Sequence, residues 1–111
     1  MAGRKNPTTA TMTIAAGAST SDALDITNVL HAGFFIPSAF TGTAVSFTVC
    51  DTFDGTYMEV KTNANAAIAP TVNVSKAYPF RSEVMDFNFV KIVSNGTEAA
   101  ARTILVSLKK E

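Results

Sequence analysis

Between residues 43 and 50 the chain alternates: Val45, Phe47 and Val49 are apolar, and Ser46 and Thr48 between them are polar. A period of two places successive side chains on opposite faces of an extended strand, so this segment reads as a strand with one face buried and one wet. The same period returns at Met12-Thr13-Ile14, at Leu24-Asp25-Ile26, at Met58 and Val60 within residues 57–61, at Val72 and Val74, and at Ile104, Val106 and Leu108 within residues 103–108. Residues 31–36 form a short apolar run that Pro37 stops, and residues 87–93 are apolar except for Asn88 and Lys91. Nowhere does the 3.6-residue period of a long helix take over.

Turn residues separate these runs. Asp51-Thr52-Phe53-Asp54-Gly55 follows the clearest strand, and Asp54-Gly55 is expected to supply the positive φ of a tight hairpin. Residues 63–70, with Asn63, Asn65 and Pro70, are expected as a loop, and Tyr78-Pro79-Phe80 as an extended turn, because proline pushes its predecessor away from helix. Asn95-Gly96 closes the next run, and residues 98–102 are expected to cross as a loop. About eight short strands at spacings of roughly 8–14 residues argue for a sandwich or barrel. Eight antiparallel strands in two sheets is the jelly-roll count. The expected fold is therefore all-β: a small antiparallel β-sandwich, jelly-roll-like, with Val45, Phe47, Val49, Phe87, Phe89, Ile104, Val106 and Leu108 in one core. Residues 1–10 are polar and hold Pro7; they are expected as a flexible arm, and residues 11–111 as the sandwich domain.

Composition narrows the function classes. At 111 residues the chain has room for one domain. It is 47% apolar and only 16% charged, against about 25% in an average protein, which argues against disorder and for a surface partly covered by a partner. Nine basic and nine acidic residues cancel, and no Lys/Arg cluster runs through the body, so the electrostatic footprint of a nucleic-acid binder is missing. Arg4 with Lys5 and Lys109 with Lys110 are expected as solvated ends. No run approaches the ~18 apolar residues that span a membrane. Four threonines within residues 7–13 interrupt the continuous apolar stretch a signal peptide needs, and the single Cys50 excludes an intrachain disulfide. Both point to synthesis in a cytoplasm. The triplets Asn73-Val74-Ser75 and Asn95-Gly96-Thr97 are then loop composition rather than glycosylation sites.

Catalysis needs converging reactive groups. One histidine, His31, cannot build a multi-histidine metal site, and one cysteine cannot build a thiolate cluster. A Cys50–His31 nucleophile pair is conceivable, but a strand-end cysteine is more often a small packing residue. Asp51, Asp54 and Glu59 flank one turn with oxygen ligands that suit calcium, yet lack the dense spacing of a calcium loop, and aspartate is a turn former in its own right. The six glycines are scattered, and nothing nominates a carboxylate pair for glycoside hydrolysis. The expectation is no enzyme, no metal and no cofactor. Phe34, Phe35, Phe40 and Phe53 sit near turns, as core plugs at the sheet ends or as anchors for a partner's pocket.

The succession Ser21-Asp22-Ala23-Leu24-Asp25-Ile26, Gly33-Phe34-Phe35-Ile36-Pro37-Ser38-Ala39-Phe40, Val45-Ser46-Phe47-Thr48-Val49, Asp54-Gly55-Thr56-Tyr57, Phe89-Val90-Lys91-Ile92-Val93-Ser94-Asn95-Gly96-Thr97 and Arg102-Thr103-Ile104-Leu105-Val106 resembles the small capsid decoration (staple) proteins of tailed bacteriophages, of the epsilon15 type of Salmonella phage. The resemblance covers residues 21–108 and lies in the order of the segments rather than in any one motif. It implies a jelly-roll on the outer surface of an icosahedral virion, bridging neighbouring major capsid proteins as a homodimer, with no catalytic residue to carry over. On that reading the partner-binding residues are Arg4, Lys5 and Asn6 of the arm, and Phe53 at a loop edge. Two other classes compete. A carbohydrate-binding sandwich module wants exposed Trp or Tyr, and the chain has no Trp and two Tyr, Tyr57 and Tyr78. A small hydrolase on the same scaffold lacks a reactive constellation.

Overall fold

The computed structural model describes the backbone of residues 6–110 and the side chains of residues 8–109. Its strands are β1 (Asn6–Ile14), β2 (Leu24–Asp25), β3 (Val29–Phe35), β4 (Val45–Cys50), β5 (Met58–Glu59), β6 (Ala77–Pro79), β7 (Phe89–Ser94) and β8 (Arg102–Lys110), with one 3-10 turn at Val84–Asp86. They form two four-stranded sheets, in the orders β1-β8-β3-β6 and β2-β7-β4-β5. Every pairing is antiparallel, and β1 pairs β8, β2 pairs β7, β3 pairs β6 and β4 pairs β5. That nesting is one long hairpin of strands folded over on itself; β3–β8 and β4–β7 contacts complete each sheet. The chain is thus the expected all-β sandwich of eight antiparallel strands, with jelly-roll connectivity. Among the described residues no helix is long and apolar enough to cross a membrane.

Alternation decides what is buried. Val45, Phe47 and Val49 of β4 face inward, as do Met12 and Ile14 of β1, Phe34 of β3, Val90 and Ile92 of β7, and Ile104, Val106 and Leu108 of β8. Ile36, Phe40, Ile68 and Val72 come from loops and close the ends of the sandwich. Each such side chain removed from water contributes about 1.5–3 kcal/mol, an upper bound because the unfolded chain already hides some of it. Three rings join the two layers at the centre. Phe34 of the first sheet meets Phe47 of the second edge-on at 5.9 Å, and Phe80 lies 5.3 Å from Phe34 and 5.5 Å from Phe47.

Several expectations need correction. Residues 6–10 are not arm: they are the first half of β1, paired in continuous register from Asn6↔Lys110 to Ala10↔Val106. Threonine is a good strand former, and this one has β8 to pair with. Residues 1–5 of the expected arm lie outside the described residues. Phe87 precedes β7 and packs half-buried against the core, whereas Phe89 is half-buried on the outer side of the sheet; the inward phase of β7 is Val90, Ile92 and Ser94. Tyr78-Pro79 belongs to β6 rather than to a turn, and Pro79 is tolerated because β6 is an edge strand. Val72 and Val74 make no strand. Thr71 forms only an isolated bridge to Ala44, Val72 is buried, and Ser75 turns the chain back at φ 58°. Gly55 does not adopt a positive φ. It is needed for space, since a Cβ there would collide with Cys50 Sγ and Thr52 Oγ1.

Candidate functional site

The groups with reactive chemistry do not converge. His31 is exposed on the outer face of the first sheet, and Cys50 stands half-buried on the outer side of β4 in the second, so the whole core lies between them. The backbone N–H and hydroxyl of Thr52 hold the Cys50 thiol below its usual range, with Thr52 Oγ1 3.6 Å from the sulfur, and no imidazole takes part. Asp51 and Asp54 are exposed in the β4–β5 loop, and Glu59 is turned to Lys61 at 3.5 Å. Among the described residues no three His, Cys, Asp or Glu side chains gather into a metal site.

Among the described residues the one fully buried carboxylate is Glu98, which is 0% exposed. Its Oε1 accepts the Thr41 N–H at 3.0 Å and Arg102 Nε at 2.9 Å. Its Oε2 accepts the Thr41 hydroxyl at 2.9 Å, the Gly42 N–H at 3.2 Å and the Ser94 hydroxyl at 3.3 Å. Its backbone bonds the β1–β2 loop, with Gly17 N–H donating to Glu98 O at 2.8 Å and Glu98 N–H to Ala18 O at 2.9 Å. Gly17 makes that approach at φ +81°, a conformation glycine adopts without strain. Burial raises the Glu98 pKa, but the Thr41 N–H, Arg102 and the Thr41 hydroxyl outweigh it, so the carboxyl sits below its usual range. A carboxylate offers about four lone-pair sites. Five donors fill them here, leaving nothing to accept a substrate's proton. Glu98 is a knot tying three loops at one end of the sandwich. Gly42 is part of it: a Cβ there would meet Ser94 Oγ, and lie 2.9 Å from Phe40 Cε2 and 3.0 Å from Asn95 Oδ1. Gly42→Ala is expected to lower stability by about 1–3 kcal/mol, read as a lower urea midpoint at unchanged slope.

The surfaces are more informative. The outer face of the first sheet presents Thr9, Thr11 and Thr13 from β1, Thr103, Leu105, Ser107 and Lys109 from β8, His31, Gly33 and Phe35 from β3, and Ala77 and Pro79 from β6. Among the described residues Lys109 carries the only fixed charge of this face. Register aligns Thr11, Leu105, Phe35 and Ala77 in one row across four strands, with Leu105 43% and Phe35 44% exposed. Beside that row the small residues Gly33 and Ser107 leave a shallow apolar depression of about 360 Å³, bounded by Phe35, Pro79, His31 and Lys109. The second sheet's outer face differs. Asp25, Lys91 and Glu59 place charges of both signs across it.

Of the expected partner-binding residues, Arg4 and Lys5 lie outside the described residues, and Asn6 is described only as the first residue of β1. Phe53 is 61% exposed in the β4–β5 loop, its ring edge-on against Phe89 at 5.9 Å. It is held without being hidden. Phe34 and Phe40 are buried plugs. Both tyrosines are engaged internally. Tyr57 donates its hydroxyl to Phe53 O at 3.0 Å and carries Lys91 Nζ 4.3 Å from its ring centre. Tyr78 is half-buried 5.8 Å from Phe34, its hydroxyl accepting the Asn73 N–H at 2.7 Å. No family model, curated protein or solved structure matches the chain.

Proposed function

We propose that this chain is a non-enzymatic structural module that fastens an icosahedral phage capsid from outside, bridging neighbouring major capsid proteins. The observation that supports this most is the outer face of the first sheet. A wet sheet face ordinarily alternates charged and polar side chains. Here Leu105 and Phe35 stand side by side on a four-stranded surface with one fixed charge among its described residues. Protein contacts keep charge out of their centres and place it at the rim, which is the pattern of this face. Phe53, at the loop edge, acts as a second anchor for a pocket on the shell. Arg4 and Lys5 add a salt-sensitive attraction to acidic groups there.

The deciding experiment is co-sedimentation with purified empty shells. The full chain is expected to pellet with them, and Phe35→Glu with Leu105→Glu to remain in the supernatant while its melting temperature holds. A wild-type chain that stays in solution ends the proposal; a double variant that binds like wild type moves the contact off this face. Phe53→Ala is expected to weaken shell binding about tenfold or more without loss of stability. Deleting residues 1–5 is expected to flatten the salt dependence and leave the fold intact. Deleting residues 1–10 removes five of the nine β1–β8 pairs, so it is expected to lower the melting temperature as well.

A further inference from the structure

We infer that the cleft beside β5 binds an arginine side chain presented by a segment of a partner protein, its stem on an apolar floor and its guanidinium among carboxylates. β5 is short and meets β4 only at Thr48↔Glu59 and Val49↔Met58. Residues directly opposite each other in a ladder share a face of the sheet. Val49 is buried, so Met58 sits on the inward phase with it, yet Met58 is 67% exposed. The opposite layer does not reach over it. A cleft of about 490 Å³ opens there instead, between the β4–β5 hairpin and the 3-10 turn with the residue after it. Val49, Met58, Val60 and Phe87 give the cleft its apolar floor, and Cys50 stands in its wall.

The rim is charged, and mostly of one sign. Asp51, Glu59, Glu83 and Asp86 line the cleft, four of the nine acidic residues of a chain whose charges cancel, and Lys61 is the one cation among its described lining residues. Lys61 is already tied to Glu59 at 3.5 Å, and Arg81 holds Glu83 at 3.1 Å. Among the described residues no lysine or arginine pairs with Asp51 or Asp86. An apolar floor under an anionic rim suits a side chain that has both characters. Lysine and arginine lay their stems along apolar surface and keep the charge at its margin. Arginine fits better, because its planar fork of five donors reaches two carboxylates at once and is more weakly hydrated than an ammonium. None of these residues lies on the sheet face offered to the shell, so the inference stands apart from the capsid reading.

The single cysteine makes the site its own reporter. The test follows alkylation of Cys50 by neutral iodoacetamide in the full chain, without shells, as a blocked Ala-Leu-Arg-Leu-Ala peptide is added. At about ten times its dissociation constant a ligand leaves about a tenth of the sites free, so alkylation is expected to slow about tenfold there. The same peptide with citrulline in place of arginine keeps the shape without the charge. Spermine supplies charge without apolar neighbours. Neither is expected to protect Cys50 at that concentration, and added salt is expected to weaken the arginine peptide. Asp51→Asn with Asp86→Asn, and separately Met58→Ser, change exposed positions. Each is expected to raise the peptide's dissociation constant about tenfold with the melting temperature preserved, whereas Met58→Leu keeps wild-type protection. Each variant is compared with itself without peptide, since Asp51 also acts on the thiol. Alkylation that millimolar arginine peptide leaves unchanged overturns the inference. So does equal protection by citrulline peptide or spermine, or protection that survives undiminished in the Asp51 and Asp86 double variant or in Met58→Ser.

Discussion

Glu98→Ala is expected to destabilise the protein by about 3–5 kcal/mol, the range for breaking a buried ion pair by removing one partner. The loss is not simply one salt bridge. Arg102, 14% exposed at its side chain, keeps its charge with no counterion, and the Thr41 and Gly42 N–H groups lose their acceptor. Against a typical total of 5–15 kcal/mol this leaves a marginal domain. Glu98→Gln separates charge from shape. It keeps one acceptor oxygen but turns an NH₂ toward donors on one side or the other, so it is expected to cost less than alanine and still to be felt. The two carboxyl states give a second reading. The folded-state pKa of Glu98 lies below its usual range, so the bound form favours the anion. Its contribution is therefore fully present above the unfolded glutamate value of about 4.3 and is lost as pH falls through the folded value. Urea unfolding from neutral pH downward is expected to show wild type losing stability in acid more steeply than Glu98→Gln. Parallel curves for the two proteins would remove Glu98 as the source.

Local pattern carried most of the fold, and its limits were physical. Alternation placed β4 and β8 with the correct inward residues because only one phase of each is wholly apolar. In β7 both phases hold apolar residues, and ring size misleads: Phe89 looks like core. Lys91 shares its phase, and a charged side chain in a central strand marks the wet face, so the signal was present. What the chain cannot show locally is that Phe53 covers Phe89 from outside. Glu98 is the opposite case. Followed by three alanines and Arg102, it looks like one end of a surface pair, and its deciding partners Thr41 and Gly42 lie 57 and 56 residues away. Only the closing of the sandwich brings them together. The charge-poor sheet face was foreshadowed by the low charge content, but composition has no address; register alone put Leu105 beside Phe35.

The second large effect belongs to Phe47. Phe47→Ala is expected to cost about 3–5 kcal/mol, and with it on the order of 15 °C in melting temperature. Phe47 is 1% exposed and is the second sheet's contribution to the ring cluster, touching both Phe34 and Phe80 edge-on. Edge-to-face pairs contribute about 0.5–1.5 kcal/mol beyond the area they bury, so two are lost along with the transfer term. Collapse cannot readily fill the hole. Phe34 is carried by β3 and Phe80 by the segment just after β6, and β4 is held on one side by six register pairs to β7. Phe89→Ala is the control. It lies next to Cys50 in the ladder, in the same sheet, but its ring faces outward and is half-buried. It is expected to lose well under half as much. Equal losses at the two sites, measured by urea unfolding at neutral pH, would mean that the layers are not held together through this cluster.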